Sequence, residues 1–504
     1  MEIVNRSSIE NEIPDLLSDT SVWSLVPHKV SETTAEIWAG TLFPYLRKPA
    51  LSRIIIYIDN TEVSRIEITL DQWQRPFRRV SKRFYTLLTL DDLTPNQEYK
   101  AVLFQQLEDD ALNYAGDWLL LKTAYFSTFP LALPTSESNA FTVSLSSCFY
   151  EHKDYGQTAQ AFKMLYANDK NVFKPDIKFM VGDQVYLDIG ADSLSPLTNE
   201  VRLRIADDYA KHWQALGSML SRGGAWMLPD DHEYWNDYPF YDGIVPTLYM
   251  LKIAKIRAAW KGTSEDGVKH IQQTKALVET FTIGNDLSFC IADLRSSRSK
   301  TQFINKAGFA ELIKWITTLT TPGILVIPQV LVTQENKLER NLLSFKKQYT
   351  ALLNALATAS HDIVVLSGDV HFGRICSVDI GTQGVKLIEV VASPTSNLTG
   401  VNSVASSEPS YCPEKFPDPK AKLDINWPER DVEYYDKPYK LSTTKGKWFS
   451  SYWRERTNEH MMTIGFNKID GIVKMTVQAW LIRKTDANGN PRAQFKDPFT
   501  IALN

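Results

Sequence analysis

Cysteine is scarce in this chain, and the four present lie far apart, at 148, 290, 376 and 412. Because they form no C-x-x-C pair, neither a disulfide framework nor a structural zinc ribbon is expected. Apolar runs of the roughly 18 residues that a transmembrane helix needs are also absent. The N-terminal segment has neither an apolar core nor a twin arginine. We therefore expect no membrane span and a cytoplasmic location, or a secreted or periplasmic one if a signal has been removed.

Positive charge is not in excess either. The chain has 55 Lys and Arg against 59 Asp and Glu, a net charge of -4, and no basic track with interleaved aromatics stands out. General nucleic-acid binding is therefore not expected. Hydrophobic residues make up 43% of the chain and charged residues 23%, which is typical of a folded protein with a sizeable core. A length of 504 residues predicts roughly two to four domains.

Residues 21–130 are rich in β signals. A run of branched residues at 53–59 is closed by a turn, and 93–104 contains the L-x-P-x-x-x-Y pattern. That pattern predicts a tyrosine corner, in which the Tyr99 hydroxyl bonds to nearby backbone at the edge of a sandwich. The alternative is a proline turn before an ordinary strand. We predict an N-terminal β-sandwich domain at 21–130, followed by a Pro/Ser-rich linker at 129–140.

The rest of the chain, 140–504, alternates short apolar runs with helical stretches, which is typical of an α/β domain. The strand-like runs are FTVSLSSC, DIKFMVGD, LSFCIADL, ILVIPQVLV and DIVVLSGD. Helices are predicted over 157–167, 199–220 and 308–319. Residues 401–450, rich in Pro, Ser, Lys and aromatics, predict a long surface loop that either covers the active pocket as a lid or packs elsewhere.

Polar clusters follow two of these runs and a further short apolar run at 224–228. Their members are Gly182, Asp183 and Tyr186; Asp230, Asp231, His232 and Glu233; and Gly368, Asp369 and His371. Ligands of open α/β sheets bind at the carboxyl ends of strands, so these clusters are expected to converge. Carboxylates gathered without a partner lose several kcal/mol per ion as an order of magnitude, and a cation removes that conflict. Such oxygen and nitrogen donors suit Zn, Mn or Fe.

Two local features favour this interpretation. A glycine precedes Asp183 and another precedes Asp369, which lets the backbone turn tightly there. His371 lies two residues after Asp369, so on an extended segment both side chains would point the same way.

Each of these residues also has a simpler explanation. Asp183 alone suits a loop cap, Tyr186 suits packing, and a free cysteine such as Cys148 is commonly a small buried hydrophobe. His232 between acids suits a hydrogen-bonded core histidine. Asp230 is interpreted as a structural acid and left out of the ligand set.

The segments GDQVY, DDHEYWND, DLRSSR and LSGDVHFG resemble the motif set of the PhoD-like alkaline phosphatases, a branch of the calcineurin-like metallophosphoesterases. SLSSC at 144–148 resembles that family's first motif, with cysteine in place of the more usual D-x-H. The resemblance implies an α/β fold in which a β-sandwich core is flanked by helices in α/β/β/α layers. It also implies that the N-terminal sandwich is fibronectin- or immunoglobulin-like.

The resemblance further implies a binuclear site with two or more metal ions. Asp183 would bridge the metals, and the other ligands would be Cys148, Tyr186 and His371 for ferric iron, and Asp231 and Asp369 for calcium, zinc or manganese. A metal-activated hydroxide would attack phosphorus in line, opposite the ester oxygen.

The same resemblance assigns the two catalytic side chains. His232 would protonate the leaving oxygen, and Arg298, rather than Arg295, would hold the phosphate. The substrate would be a small phosphoester, monoester or diester. Alternatives are a nuclease of the same metal class and a binding protein with a catalytically dead scaffold.

Overall fold

The computed structural model describes residues 21–108, 115–167, 173–242, 246–335, 340–381, 384–398, 412–435 and 459–504. Its strands are β1 Trp23–His28, β2 Ala35–Thr41, β3 Leu51–Ile58, β4 Thr61–Thr69, β5 Phe84–Leu90, β6 Glu98–Gln106, β7 Trp118–Ser127, β8 Phe141–Ser146, β9 Ile177–Val181, β10 Gly224–Leu228, β11 Val278–Ile283, β12 Leu287–Ala292, β13 Gly323–Val326, β14 Ile363–Ser367, β15 Arg374–Ile380, β16 Val385–Val391, β17 Lys415–Phe416, β18 Arg430–Asp431, β19 Glu433–Tyr434, β20 His460–Ile469, β21 Ile472–Thr485, β22 Pro491–Ala493 and β23 Phe499–Leu503. The helices are α1 Gln157–Ala167, α2 Thr198–Ala215, α3 Gly217–Leu220, α4 Pro246–Leu251, α5 Ala254–His270, α6 Lys306–Thr317 and α7 Lys346–Leu356. In the described part of the chain, no helix combines the length and the hydropathy that a membrane crossing requires.

The N-terminal strands form two layers. One sheet has the order β4-β3-β6-β7, and the strands β1-β2-β5 form the opposite layer. Residues such as Leu25 and Ile37 share one hydrophobic cluster with Ile54 and Leu103 of the other layer. The predicted tyrosine-corner bond is present, because the Tyr99 hydroxyl accepts from the backbone N–H of residue 94 at 2.8 Å.

The N-terminal layer continues into the central sheet. β1 runs parallel to β10, with His28 opposite Ala225, so the order becomes β22-β21-β20-β8-β9-β10-β1-β2-β5, with β23 beside β21. A single sheet therefore joins β1, β2 and β5 to β9 and β10, which carry two of the three polar clusters.

A second sheet, with the order β11-β12-β13-β14-β16-β15-β19, packs against the first. Side chains from both sheets, among them Phe179, Trp226, Phe289 and Val364, form one buried cluster. Helices α1, α2 and α5 cover the outer face of the first sheet, and α6 and α7 cover the outer face of the second. The predicted mixed α/β class is confirmed, and the layers run helix, sheet, sheet, helix.

Element boundaries follow the sequence patterns with two instructive departures. The helix predicted over 199–220 is divided at Leu216 into α2 and α3. The strand predicted through ILVIPQVLV is wrong beyond Val326, because Pro328 has no N–H for the sheet ladder. The chain turns there, and this turn brings Gln329 to the edge of the sheet.

Part of the predicted 401–450 loop packs against the body of the protein. Phe416 and Trp427 are buried in the same cluster as α7, and the Asn354 side chain on α7 donates to the Asp424 carbonyl at 3.2 Å. The short strand β19 pairs with β15. Residues 412–435 therefore cover the second sheet, while 399–411 and 436–458 lie outside the described residues, so the lid hypothesis stays a prediction.

His28 is expected to make the fold sensitive to acid. Burial, with the charges of Lys178 and Lys29, lowers the pKa of His28 to about 3, whereas a histidine in the unfolded chain titrates near about 6.5. Between these two pKa values the unfolded state binds a proton at His28 and the folded state does not. The contribution of His28 to the free energy of unfolding is therefore complete above pH 6.5 and is lost as the pH falls. Between pH 7 and pH 5 this site should remove about 2 kcal/mol from the free energy of unfolding.

Denaturant titration of His28→Gln at the two pH values measures that loss. The variant should lose less stability than the parent on acidification. The partly exposed His361 supplies the control, since His361→Gln should lose as much as the parent. Equal losses in all three proteins would contradict the assignment.

Candidate metal centre

The polar clusters lie where parallel strands end. β8, β9 and β10 are parallel neighbours, and Cys148, Asp183 and Asp231 follow them in turn. In the second sheet β12, β13, β14 and β16 are also parallel. Their carboxyl ends lead to Arg295, Gln329, Asp369 and Asn397. The predicted convergence at the carboxyl ends of strands is therefore observed in both sheets.

Seven acidic, histidine and cysteine side chains come together in overlapping groups. Within each group, the possible metal-ligating atoms lie no more than 4.8 Å apart. The groups are Cys148 with Asp183 and His371; Asp183 with Asp231 and His232; and Asp230 with Asp231 and Asp369. Asp183 and Asp231 each belong to two groups, which is the connectivity that two adjacent cations require.

Tyr186 lies beside the first group. Its hydroxyl is 3.4 Å from Asp183 Oδ2, and the Cys148 thiol lies 3.4 Å from the same oxygen. Burial and the neighbouring Asp183 raise the pKa of Cys148 well above its ordinary value. Burial and the adjacent Cys148 do the same for the pKa of Tyr186. Either group would need a nearby cation to be stable as a thiolate or phenolate.

Two carboxylates of the site, those of Asp183 and Asp230, also have a raised pKa. Burial raises the pKa of Asp183 well above its usual range; the positive charge of His232 opposes this, and Asp231 adds to it. Burial raises the pKa of Asp230 to about 7, and its Oδ2 has no hydrogen-bond partner among the described residues. The donor set and this unsatisfied oxygen both fit a bound cation.

Four residues of these groups adopt left-handed backbone that non-glycine residues rarely adopt. The φ angles are 53° at Cys148, 55° at Asp183, 71° at Asp369 and 54° at His371. The expectation that 369–371 is extended, with both side chains on one side, is therefore wrong. Because the backbone coils here, Asp369 reaches one group and His371 another. Strained backbone concentrated in this way is typical of functional sites.

Glu233 holds two of the strand ends together. Its carboxylate accepts from the backbone N–H groups of Asp183 at 2.9 Å, Gln184 at 2.7 Å and Asp230 at 2.8 Å. The sequence pattern assigns Glu233 no role beyond membership of the polar cluster 230–233. The available signal was the D-x-x-E spacing of a capping box, which Asp230 and Glu233 form.

Comparisons with known proteins bear on the fold. No family model and no curated protein matches this chain. A solved structure of PhoD aligns with a TM-score of 0.60 at 14% identity, covering 95% of this chain and 91% of PhoD. A purple acid phosphatase from yellow lupin (Lupinus luteus) seeds aligns with a TM-score of 0.51 at 13% identity, covering 95% and 74%. This chain has a metallophosphoesterase-like fold.

Within this metallophosphoesterase-like fold, His232 is held in one orientation. Its Nδ1 lies 2.6 Å from Asp188 Oδ1, and its ring packs on Tyr186 with centroids 4.4 Å apart. Because a carboxylate accepts, Nδ1 carries the hydrogen, and Nε2 is the nitrogen left for other contacts. Burial would lower the pKa of His232, but the charges of Asp188 and Asp231 raise it well above its ordinary value. Asp188 was missed at the sequence level.

His371 is fixed in a similar way by a different partner. Its Nδ1 lies 2.9 Å from Asn397 Oδ1, and the Asn397 N–H donates to Glu459 at 2.7 Å. Burial lowers the pKa of His371 to about 4, so its ring is neutral, as a metal ligand must be. No motif pointed to Asn397 or Glu459, because they come from distant loops.

The two arginines of DLRSSR do different things. Arg295 donates to Asp230 Oδ1 at 2.5 Å and to the Tyr238 carbonyl at 2.9 Å. Arg298 donates to Gln329 at 2.6 Å, and Gln329 in turn donates to Asp369 at 3.1 Å. Burial and the nearby Arg295 lower the pKa of Arg298 to about 9, and its Nη1 has no partner in the described part of the chain. Arg295 Nη2 also has no partner among the described residues. The difference is that Arg295 is paired with the Asp230 carboxylate, whereas Arg298 is bonded to neutral groups.

Gly182 should be intolerant of a side chain. It has a φ of +91°, and a Cβ there would lie 2.6 Å from the Asp230 Cβ, so Gly182→Ala would both strain the backbone and displace Asp230. We expect a loss of about 1–3 kcal/mol in unfolding free energy, with a matching loss of metal affinity. Thermal unfolding and metal titration measure the two effects.

Gly489 is the matched control for that substitution. Its φ is +82°, yet a Cβ there would meet nothing within 4 Å. Gly489→Ala should therefore show the backbone effect alone and keep its metal affinity. Similar behaviour of the two variants would count against a steric requirement beside Asp230.

Proposed function

We propose that this protein is a PhoD-like phosphatase that hydrolyses phosphoesters at a binuclear metal site. The observation that carries the proposal is the convergence of four strand ends from two sheets on one largely buried set of donors. Asp183 and Asp231 each lie within 4.8 Å of ligand atoms in two groups. The likeness of the fold to a purple acid phosphatase supports the same reaction class.

The grouping of the donors supports a division of the metals. Cys148, Tyr186 and His371 would hold one ion, and a thiolate with a phenolate favours ferric iron there. Asp231 and Asp369 would hold the second ion, calcium, zinc or manganese, and Asp183 would bridge the pair. When bound, the ions would supply Lewis-acid charge and lower the pKa of water, so that a nucleophile is available near neutral pH.

The chain's own residues would do the remaining work. His232 has its Nδ1–H on Asp188, so Nε2 would deliver a proton to the departing ester oxygen. Arg298 would hold an equatorial phosphate oxygen through its free Nη1, with Gln329 fixing the guanidinium plane. The side chains of His232 and Arg298 are both buried, so their charges act with little screening by water.

The N-terminal strands have a supporting role in this proposal. Their two-layered arrangement with a tyrosine corner supports a fibronectin-like domain at about 21–130. Because β1 extends the sheet that carries Asp183 and Asp231, this domain would stiffen the scaffold of the site.

A substrate panel tests the proposal. The purified protein, supplied with iron and each candidate second metal, should hydrolyse an aryl phosphomonoester or an aryl phosphodiester, and duplex DNA much more slowly. Comparing the first two substrates assigns the preference between monoesters and diesters. Faster cleavage of DNA would point to the nuclease alternative, and no turnover of any substrate would leave the binding-protein alternative.

A further inference from the structure

A second cleft, separate from the metal centre, lies on the outer helical layer. It is formed by the segment before β5, the start of α2 and one face of α5, and it has a volume of about 540 Å³. Cavities of roughly 300–1,000 Å³ are the usual size for small-molecule sites. None of its lining residues belongs to the candidate metal groups.

Basic side chains dominate this cleft. Arg78, Arg79, Arg202 and Lys255 line it, against the single carboxylate of Asp266. That carboxylate is already engaged, because it accepts from Arg78 Nε at 2.7 Å and from the Arg78 backbone N–H at 2.9 Å. The remaining positive charge is therefore not neutralised from within the cleft.

Three of the four cations lack a carboxylate partner in the described residues. Arg202 donates to the neutral Asn199 side chain at 2.8 Å, and neither Arg79 nor Lys255 takes part in an ion pair within the described ranges. Gathering like charges is unfavourable unless an anion joins them. The chain carries a net charge of -4, so this local excess runs against the overall balance.

Charge is segregated between the two sides of α2. A neighbouring cleft of about 520 Å³ is lined by the four acids Asp192, Glu200, Asp207 and Asp208 and by the two cations Arg204 and Lys211. The acids that could have neutralised Arg202 thus face another cavity. Acids outnumber cations in that cleft and cations outnumber acids in the cleft of Arg202, which favours capture of an anion on the Arg202 side.

The floor of the cleft leaves room for a ligand. It is made by the small residues Ala258, Ala259 and Gly262 of α5, and a Cβ added at Gly262 would meet nothing within 4 Å. Thr198, the first residue of α2, also lines the cleft, and the start of this 18-residue helix has no side-chain cap. The positive end of the helix dipole therefore adds to the field of the basic side chains.

We propose that this cleft binds a small anion bearing two or more phosphate charges, at a site distinct from the metal centre. Arg79, Arg202 and Lys255 contact the phosphate oxygens, and Arg78 remains paired with Asp266. The proposal does not depend on the phosphatase assignment, because no metal-group residue takes part.

Hydrogen–deuterium exchange with inorganic pyrophosphate tests the proposal on the intact protein. Segments 77–82, 198–204 and 255–264 should gain protection on titration, with a chloride control at matched ionic strength. Because exchange is measured for each segment, pyrophosphate bound at the metal centre would protect other segments and would be distinguished from pyrophosphate bound in the cleft. The double variant Arg202→Gln/Lys255→Gln should raise the dissociation constant for pyrophosphate, measured from the protection of these segments, at least about tenfold, because two charged contacts are lost.

The control double variant Lys211→Gln/Lys269→Gln removes one exposed cation from each of the same two helices, outside the cleft. It should bind pyrophosphate as the parent does. Absence of protection in the three segments, equal protection by chloride, or equal weakening in both double variants would each overturn the proposal.

Discussion

Asp183→Asn is expected to reduce kcat/KM for an aryl phosphoester by roughly 10³-fold or more, equivalent to at least about 4 kcal/mol of transition-state stabilisation. The Asp183 carboxylate is shared by the group containing Cys148 and His371 and by the group containing Asp231 and His232. Without the charge of this carboxylate, two neighbouring cations would repel each other more strongly and would bind less tightly. Metal content and steady-state rates of the variant should therefore fall together.

Asp176 offers a control on the same strand. It precedes β9 at the amino end, whereas Asp183 follows at the carboxyl end. Asp176 is a half-buried acid whose pKa desolvation raises to about 7, and it accepts from the Thr142 N–H at 2.7 Å. Asp176→Asn should keep full metal content and near-parent activity. Near-parent turnover by Asp183→Asn would remove its bridging role.

His232→Gln is expected to lower kcat for an alkyl phosphoester by about 10²–10⁴-fold, the usual contribution of a positioned general acid. The loss should be much smaller for 4-nitrophenyl phosphate, since that phenolate departs without a proton. We expect His232 to be the general acid because its Nδ1 is hydrogen-bonded to Asp188 at 2.6 Å. Nε2 is therefore the nitrogen that would donate the proton to the leaving oxygen.

Asp188→Asn separates positioning from chemistry in this pair. An amide at position 188 would let Nδ1 lose its hydrogen, so the ring would present the wrong tautomer. This variant should therefore show the same leaving-group dependence as His232→Gln, at lower magnitude, with unchanged metal content. Equal losses on alkyl and nitrophenyl substrates in both variants would show that His232 acts otherwise, for example as a metal ligand.

The fold class and the placement of the main donors could be predicted because they depend on local signals. An apolar run followed by Gly182 and Asp183 identifies a buried strand and its carboxyl end at once. The same logic located Asp231 and Asp369. The tyrosine corner at Tyr99 was likewise encoded within a few residues. Convergence then followed from the parallel order of strands, without knowledge of any distance.

The supporting contacts could not be predicted because they join distant loops. Gln329 reaches Arg298 and Asp369 only because the chain turns after β13, and Asn397 reaches His371 from the end of β16. Neither residue stands in a periodic pattern. The prediction of an extended backbone at 369–371 is wrong, because the two-residue spacing of Asp369 and His371 does not reveal that both residues have a left-handed φ.

The pairing of β1 with β10 was missed for a related reason. Strand partners as distant in sequence as residues 28 and 225 leave no local trace, and the sequence pattern places β1 in the N-terminal domain at 21–130. The basic cleft also combines residues from three separate segments around Arg79, Arg202 and Lys255. The segment around Arg79 is rich in Lys and Arg, with five cations within 75–83, but nothing in the sequence shows that Arg202 and Lys255 lie beside it.

Metal analysis of the purified protein, with its visible spectrum, tests the central claim most directly. We expect about two bound metal ions per chain, one of them iron, with a visible absorption band that Tyr186→Phe removes or shifts. A colourless protein that binds no metal above background, and stays inactive after reconstitution with iron and zinc, manganese or calcium, would contradict the account.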